Sequence, residues 1–278
     1  MAEMVDQANS TMAPVREQVA RVGSRSTRYL EAGQGRPVIL MHSFPLSADQ
    51  WRRQLGDVPS GWRFIAPDLP GFGPAPDDGE AALTIDQHAV HVVALMDQLG
   101  IASAAMVGVS MGGYVALALL RQAADRVTSV VLADTRATAD TDEARAGRDR
   151  TIAMIDRDGV EALAREMLPK LLGATSHRER PEVVAEVRRL IVANRAAGVR
   201  GAVQAMRDRP DSTPLLASIR CPALILCGEE DTLTPPAASE AMHRAIPGSR
   251  LVILPGAGHL SNLEAPKEFS GVLKEALP

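Results

Sequence analysis

The stretch VGVSMGGYVA (107–116) sets one serine among residues with almost no side chain. Gly108 and Gly112 stand two positions either side of Ser110, and Gly113 follows at once. A hydroxyl on an ordinary helix or loop needs no such flanking. The run that ends at the serine, AAMVGVS (104–110), is apolar and of strand length, and the residues after it, 111–122, read as a helix. A tight strand–turn–helix forces its middle residue into a strained backbone conformation. The residues two positions away must be small, because the strand and helix backbones nearly touch there. The pattern Gly108-Val109-Ser110-Met111-Gly112 meets that requirement. It lifts the Ser110 hydroxyl clear of the chain at a helix N-terminus, where developing negative charge is favoured.

The same alternation of strand and helix extends along the chain. PVILMHS (37–43), WRFIAPD (62–68), VTSVVLAD (127–134), PALILCG (222–228) and RLVILPG (250–256) are further short apolar runs. Continuous rather than alternating apolar character is that of strands buried on both faces of a parallel sheet. Residues 19–22 and 27–30 can add an antiparallel edge hairpin. Between the strands, Ile85, Ala89, Val92, Met96 and Leu99 recur at helical spacing, with Thr84 as N-cap and Gly100 as stop. Helices at 235–245 and 266–276 each open on proline, whose missing N–H does no harm there. From 136 to 209 no strand pattern occurs, only four charged helical stretches with apolar stripes. The expected fold is therefore α/β: a mostly parallel central sheet, helices on both faces and an inserted helical cap. The expected organisation is a flexible tail at 1–17, core at 18–135, cap at 136–209 and core again at 210–278.

Composition bounds the function. The 278 residues are 46% hydrophobic with a net charge of −4, so no basic surface argues for nucleic acid or an anionic membrane. Aromatic residues are only 3%, which leaves ligand contact mainly to aliphatic side chains and methionine. No run approaches the roughly 20 apolar residues of a membrane span. Cys221 and Cys227, six residues apart, would lie roughly 20 Å from each other on an extended strand. A disulfide needs Cα atoms within about 7 Å. Two reduced thiols and a cytoplasmic location are expected.

A serine hydroxyl becomes a good nucleophile only when a base takes its proton. Of the six histidines, His88, His91, His177 and His243 read as surface or boundary residues, and His42 as a brace for the loop HSFPL. His259 follows the last strand on the loop LPGAGHLSN, at the carboxyl edge where parallel sheets build sites. The carboxylate that would orient it is read as Asp231, in CGEEDTLTPP, with Asp134 at the end of VTSVVLAD as its rival. An oxyanion would need two backbone donors, expected from the N–H groups of Met111 and Phe44. Pro45, beside Phe44, has none to give.

Together HSFPLSADQW, IAPDLPGFG, GVSMGG, PALILCGEEDTLTPP and GAGHLSNLEAPKEF resemble the serine branch of the α/β-hydrolase fold superfamily over nearly the whole chain. Within it the chain looks most like 3-oxoadipate enol-lactonase-like hydrolases and small-molecule esterases, and the order Ser110, Asp231, His259 is the order of that superfamily. Two positions depart from the pattern: Ser43 stands where glycine is usual and Pro70 where arginine is usual. The resemblance implies hydrolysis of small carboxylic esters or lactones through an acyl-enzyme on Ser110, with water as co-substrate and no metal or organic cofactor. Met154, Met167 and Met206 of the cap are the candidate substrate contacts. The alternatives are a cofactor-free perhydrolase or haloperoxidase using the same three residues, and a ligand-binding module on a hydrolase fold.

Overall fold

Eight strands form one sheet in the order β1-β2-β4-β3-β5-β6-β7-β8. The computed structural model describes residues 14–74 and 82–277. The strands are β1 (Arg16–Val22), β2 (Arg25–Gly33), β3 (Arg36–Met41), β4 (Trp62–Pro67), β5 (Ala104–Val109), β6 (Val127–Ala133), β7 (Ala223–Gly228) and β8 (Arg250–Leu254). β1 and β2 pair antiparallel, β2 joins β4 antiparallel, and every later pairing is parallel. The edge hairpin starts earlier than expected. Arg16 and Glu17, inside the supposed tail, already pair with Glu31 and Leu30. The tail's residues 1–13 lie outside the described residues.

Successive side chains of the central strands feed opposite cores, which is why their sequences are apolar throughout. In β3, Ile39 and Met41 join a cluster with Val92 and Met96, from the helix α2 (Ile85–Gln98). Val38 and Leu40, between them, join another with Trp51, Phe269 and Leu273. A helical turn at Ala48–Trp51, continued by α1 (Arg52–Leu55), and the C-terminal α10 (Pro266–Ala276) cover that second face. The first face carries α2, α3 (Met111–Gln122) and α8 (Pro236–Ala245). A reciprocal capping box opens α2. Thr84 Oγ1 accepts from the Gln87 N–H, and the Gln87 amide oxygen accepts from the Thr84 N–H.

Between β6 and β7 the chain leaves the sheet for α4 (Asp142–Leu171), α5 (Ala174–Glu179), α6 (Pro181–Val192) and α7 (Ala196–Arg207). α4 is broken at Gly159, whose φ of 74° ends one helical stretch and starts the next. The short α5 is the one helix here without a counterpart in the sequence reading. These helices bury Leu171, Val183, Val187 and Leu190 against Leu46, Leu260 and Leu263, from loops at the carboxyl edge of the sheet. Polar clamps fix them there. Asn194 accepts from the Gly73 N–H at 2.9 Å and donates to the Pro45 carbonyl at 2.8 Å. Glu264 accepts from the Gly173 N–H at 2.8 Å and the Ser176 hydroxyl at 2.7 Å. The short α9 (Ser261–Glu264) supplies that glutamate. Among the described residues no helix is long and apolar enough to cross a membrane.

A tight backbone contact lies under the serine. A β-carbon on Gly112 would sit 2.2 Å from the Met41 carbonyl oxygen, and one on Gly108 would sit 2.3 Å from that of Gly112. Both distances fall far inside van der Waals contact. Gly112→Ala should therefore cost about 3 kcal/mol or more, which lowers Tm by roughly 6 °C or more in a domain of this size. Gly271→Ala, in exposed helix with open space around it, should raise stability by up to about 1 kcal/mol. Scanning calorimetry of the pair checks the contrast, and equal melting temperatures would remove the steric argument.

Candidate active site

Ser110 joins the end of β5 to the start of α3 with φ 54° and ψ −112°, a conformation that costs a non-glycine residue on the order of 1–3 kcal/mol. Its surroundings hold it there. The Ser110 N–H donates to the Ala133 carbonyl at 2.9 Å, and its own carbonyl accepts from the Gly113 N–H and the Thr135 hydroxyl. The Ser110 hydroxyl lies 2.8 Å from Nε2 of His259, whose Nδ1 lies 2.8 Å from Oδ2 of Asp231. An ionised carboxylate only accepts, so Nδ1 carries the ring proton of neutral His259 and Nε2 offers its lone pair to the serine O–H. All three side chains are buried.

Asp231 is well supplied with donors. Its Oδ1 accepts from the N–H groups of Leu233 and Thr234, and its Oδ2 from the Thr234 hydroxyl as well as His259. Burial pushes the carboxyl up, but His259 and the Thr234 hydrogen bonds outweigh it and hold it below the usual carboxylate range. Asp134, the rival of the sequence reading, makes no hydrogen bond to His259. It accepts from the Gly228 N–H at 2.8 Å and lies 2.5 Å from the Ser261 hydroxyl. Burial and the negative charge of Asp231 push Asp134 far above the ordinary value. Two adjacent buried carboxyls are thus driven in opposite directions, one towards the charged and one towards the protonated form. Cys227 brings a thiol within 4.8 Å of both, but burial raises it, and the two carboxyls are already spent on hydrogen bonds. The cysteines are unbridged.

Ser110 and His259 open on a cavity of about 460 Å³, within the size range of small-molecule sites. Met167 and Met206 line it. Met154 does not. The lining face of α4 runs through Ala144, Gly147, Arg148 and Thr151, while Met154, one turn on, packs against the core cluster that also holds Ile155 and Met206. Phe44 lines the cavity, and Met111 begins α3. Among the described residues neither backbone N–H donates a hydrogen bond. Sequence reasoning missed the charged lining: Arg136, Arg148, Arg150 and Lys170 border the same space. The arginine pattern in DEARAGRDR was the available signal, but such a run reads as a solvated helix face.

The loop after β3 is braced as expected. The His42 ring sits 2.9 Å from the Ser43 carbonyl and accepts from the Leu69 N–H, which fixes a neutral tautomer. Burial lowers His42 to about 4. Ser43 carries no left-handed strain, and its hydroxyl turns to Gln50 at 2.8 Å, away from the cavity. Near Pro70, where arginine is usual, the buried Arg28 of β2 pairs with Asp68 instead. His88 and His91 correct the sequence reading: both are buried, not surface residues.

The family model described as alpha/beta hydrolase fold matches residues 36–266. The chain belongs to this family. A thermophilic esterase from Thermogutta terrifontis, solved with malate bound, is similar at a TM-score of 0.88 and 36% identity, over 95% of this chain and 97% of that one. The enol-lactonase from Burkholderia xenovorans LB400 gives a TM-score of 0.86 at 28% identity, over 93% and 99%. In sequence, 3-oxoadipate enol-lactonase 2 of Acinetobacter baylyi is 27% identical over 251 residues, covering 90% of this chain and 92% of that protein. The relatives of this α/β hydrolase thus include esterases and enol-lactonases.

Buried histidines make stability depend on pH. Burial, then the neighbouring His91 and His42, lower His88 to about 3, against about 6.5 in an unfolded chain. The unfolded state then binds the extra proton between those values, so this contribution is complete above about pH 6.5 and is lost as pH falls. At pH 5 the loss from His88 is roughly 2 kcal/mol. Asp68, raised to about 6, opposes it. The readout is therefore the difference between wild type and His88→Gln in urea unfolding at pH 7 and pH 5. The variant should lose roughly 2 kcal/mol less stability on acidification, and identical losses would contradict a neutral His88.

Proposed function

We propose that the protein is a carboxylic ester hydrolase that cleaves small esters or lactones through an acyl-enzyme on Ser110. The observation that carries this reading is the buried hydrogen-bond chain from Ser110 through His259 to Asp231 at the floor of a small-molecule cavity. Its support from outside the site is the family, whose members with the same architecture include esterases and enol-lactonases.

In this mechanism Ser110 Oγ attacks the substrate carbonyl carbon while His259 Nε2 takes the hydroxyl proton. The carbonyl oxygen becomes an oxyanion and receives the free N–H groups of Met111 and Phe44, with the positive end of α3 behind it. Asp231 stabilises the imidazolium. The imidazolium returns its proton to the departing alkoxide, which leaves as an alcohol, or stays tethered if the substrate was a lactone. Water then gives a proton to His259 and its oxygen to the acyl carbon. Collapse of the second tetrahedral intermediate breaks the acyl–Oγ bond, and His259 reprotonates Ser110. Asp134 serves as a positioning residue that fixes the Gly228 N–H and Ser261 around the Asp231 and His259 loops. The helices between β6 and β7 act as a cap whose Met167 and Met206 shape the acyl or alcohol pocket.

Ser110→Ala should abolish covalent labelling by a fluorophosphonate and lower kcat for p-nitrophenyl acetate by at least about 10³-fold, with an unchanged circular dichroism spectrum. Near-normal turnover in that variant would sink the proposal. Asp231→Asn should cost far more than Asp134→Asn. An amide next to His259 stabilises no imidazolium and favours the wrong tautomer, a change worth about 10⁴ in kcat in a serine protease. At Asp134 the variant should lose roughly tenfold or less. Assays of both on one activated ester decide the ranking, and the reverse order would reassign the acid.

A further inference from the structure

The roof of the cavity is strongly positive. Arg136 and Arg148 line it and form ion pairs with one buried carboxylate, Asp140, at 2.9 and 3.0 Å. Arg209 joins the same carboxylate at 2.8 Å. Three arginines therefore share one acid, and among the described residues none of the three has another carboxylate within ion-pair distance. Within ion-pair distance the cluster therefore has two more positive charges than carboxylates, with Asp211 acting on Arg209 from further off. Arg209 has a structural use: it is buried, donates to the Met206 and Thr138 carbonyls, and lies over the Tyr114 ring. Arg136 and Arg148 have no comparable use. Among the described residues each guanidinium makes a single hydrogen bond, to Asp140, and Arg136 Nε has no acceptor. Arg150 borders the cavity with no ion pair among those residues. The remaining charged pair at the rim, Lys170 and Glu166, neutralises itself.

We infer that these arginines form an anion subsite, and that the preferred substrate is an ester or lactone carrying a free carboxylate at the end remote from the scissile carbonyl. The inference rests on the reading of Ser110 as nucleophile and names the substrate class of that site. Its chemistry follows from the lining. Ser110 and His259 mark the reacting end, Tyr114, Met167 and Met206 supply an apolar wall, and Arg136, Arg148 and Arg150 supply unclaimed N–H donors. Asp140 holds two of the guanidinium groups in place before substrate arrives, so little side-chain freedom is lost on binding. Thr135, next to Arg136 in the chain, donates to the Ser110 carbonyl, which ties the subsite to the nucleophile through one short backbone segment. Guanidinium groups match a carboxylate with paired, charge-assisted hydrogen bonds. A short aliphatic half-ester of a dicarboxylic acid combines the required acid, spacer and ester.

The test compares monomethyl glutarate with dimethyl glutarate, with acid release followed by pH-stat. Wild type should prefer the monoanion in kcat/KM by at least about tenfold, and the preference should shrink as salt rises. Arg136→Gln and Arg150→Gln should each cut the ratio of the two kcat/KM values at least about fivefold, mainly through the KM of the monoanion. Arg150 is exposed, so its variant stays informative if Arg136→Gln folds poorly. Equal use of both esters by wild type, or an unchanged ratio in both variants, would overturn the subsite. Failure of the nucleophile reading is seen separately, as absence of fluorophosphonate labelling and of turnover on either ester. In that event calorimetry of glutarate with Ser110→Ala decides the subsite alone: binding that weakens on adding Arg150→Gln supports it, and no binding overturns it.

Discussion

The contact between the backbones of β3, β5 and α3 governs the rest of the molecule. The carbonyls of Met41 and Gly112 leave no room for a β-carbon at Gly112 or Gly108. The chain passes from strand to helix there through the positive-φ turn at Ser110. That turn holds the hydroxyl above the carboxyl edge of the sheet. Because β3 and β5 to β8 all run parallel, the loops after them open on the same edge. Asp134 after β6, Asp231 after β7 and His259 after β8 converge there without any side chain needing to reach far. The local strain is of the order of 1–3 kcal/mol, small against the burial of two cores that flank the sheet.

Polar groups inside this apolar frame are kept in defined protonation states by their partners. His42 is neutral because burial disfavours its cation and a backbone N–H occupies its second nitrogen. Asp231 is charged because donors outnumber the cost of burial, and Asp134 is pushed the other way by Asp231 itself. The Asp140 cluster reverses the sign, with one carboxylate among three guanidinium groups. The floor and the roof of the cavity thus differ in charge by construction.

Most of the sheet was legible in the sequence, because strands buried on both faces carry continuous apolar runs and the glycines around Ser110 admit few other structures. The residues Ser110, Asp231 and His259 were legible from their positions just after such runs. The hairpin start at Arg16 was not, since charged edge residues resemble a tail. His88 and His91 were misplaced because an apolar helix face does not disclose whether a histidine at its margin is covered, and β1 and β2 do cover it. Within the inserted helices the apolar stripes were visible, but which side faced the cavity was not. Met154 therefore stood as a lining residue, while the arginines one and two turns before it passed as solvated surface.

The hydrogen-bond chain through His259 spans 149 residues, from Ser110 before the inserted helices to a loop near the end of the sequence. A ribosome delivers a chain from its N-terminus, whereas a domain folds as a unit. Ser110 and the helix behind it are thus synthesised before β7 and β8, whose following loops carry Asp231 and His259, the proposed acid and base. Until the last strand docks, the hydroxyl has no partner to take its proton and stays as unreactive as any other serine. In the proposed mechanism, activation of Ser110 therefore waits for completion of the sheet.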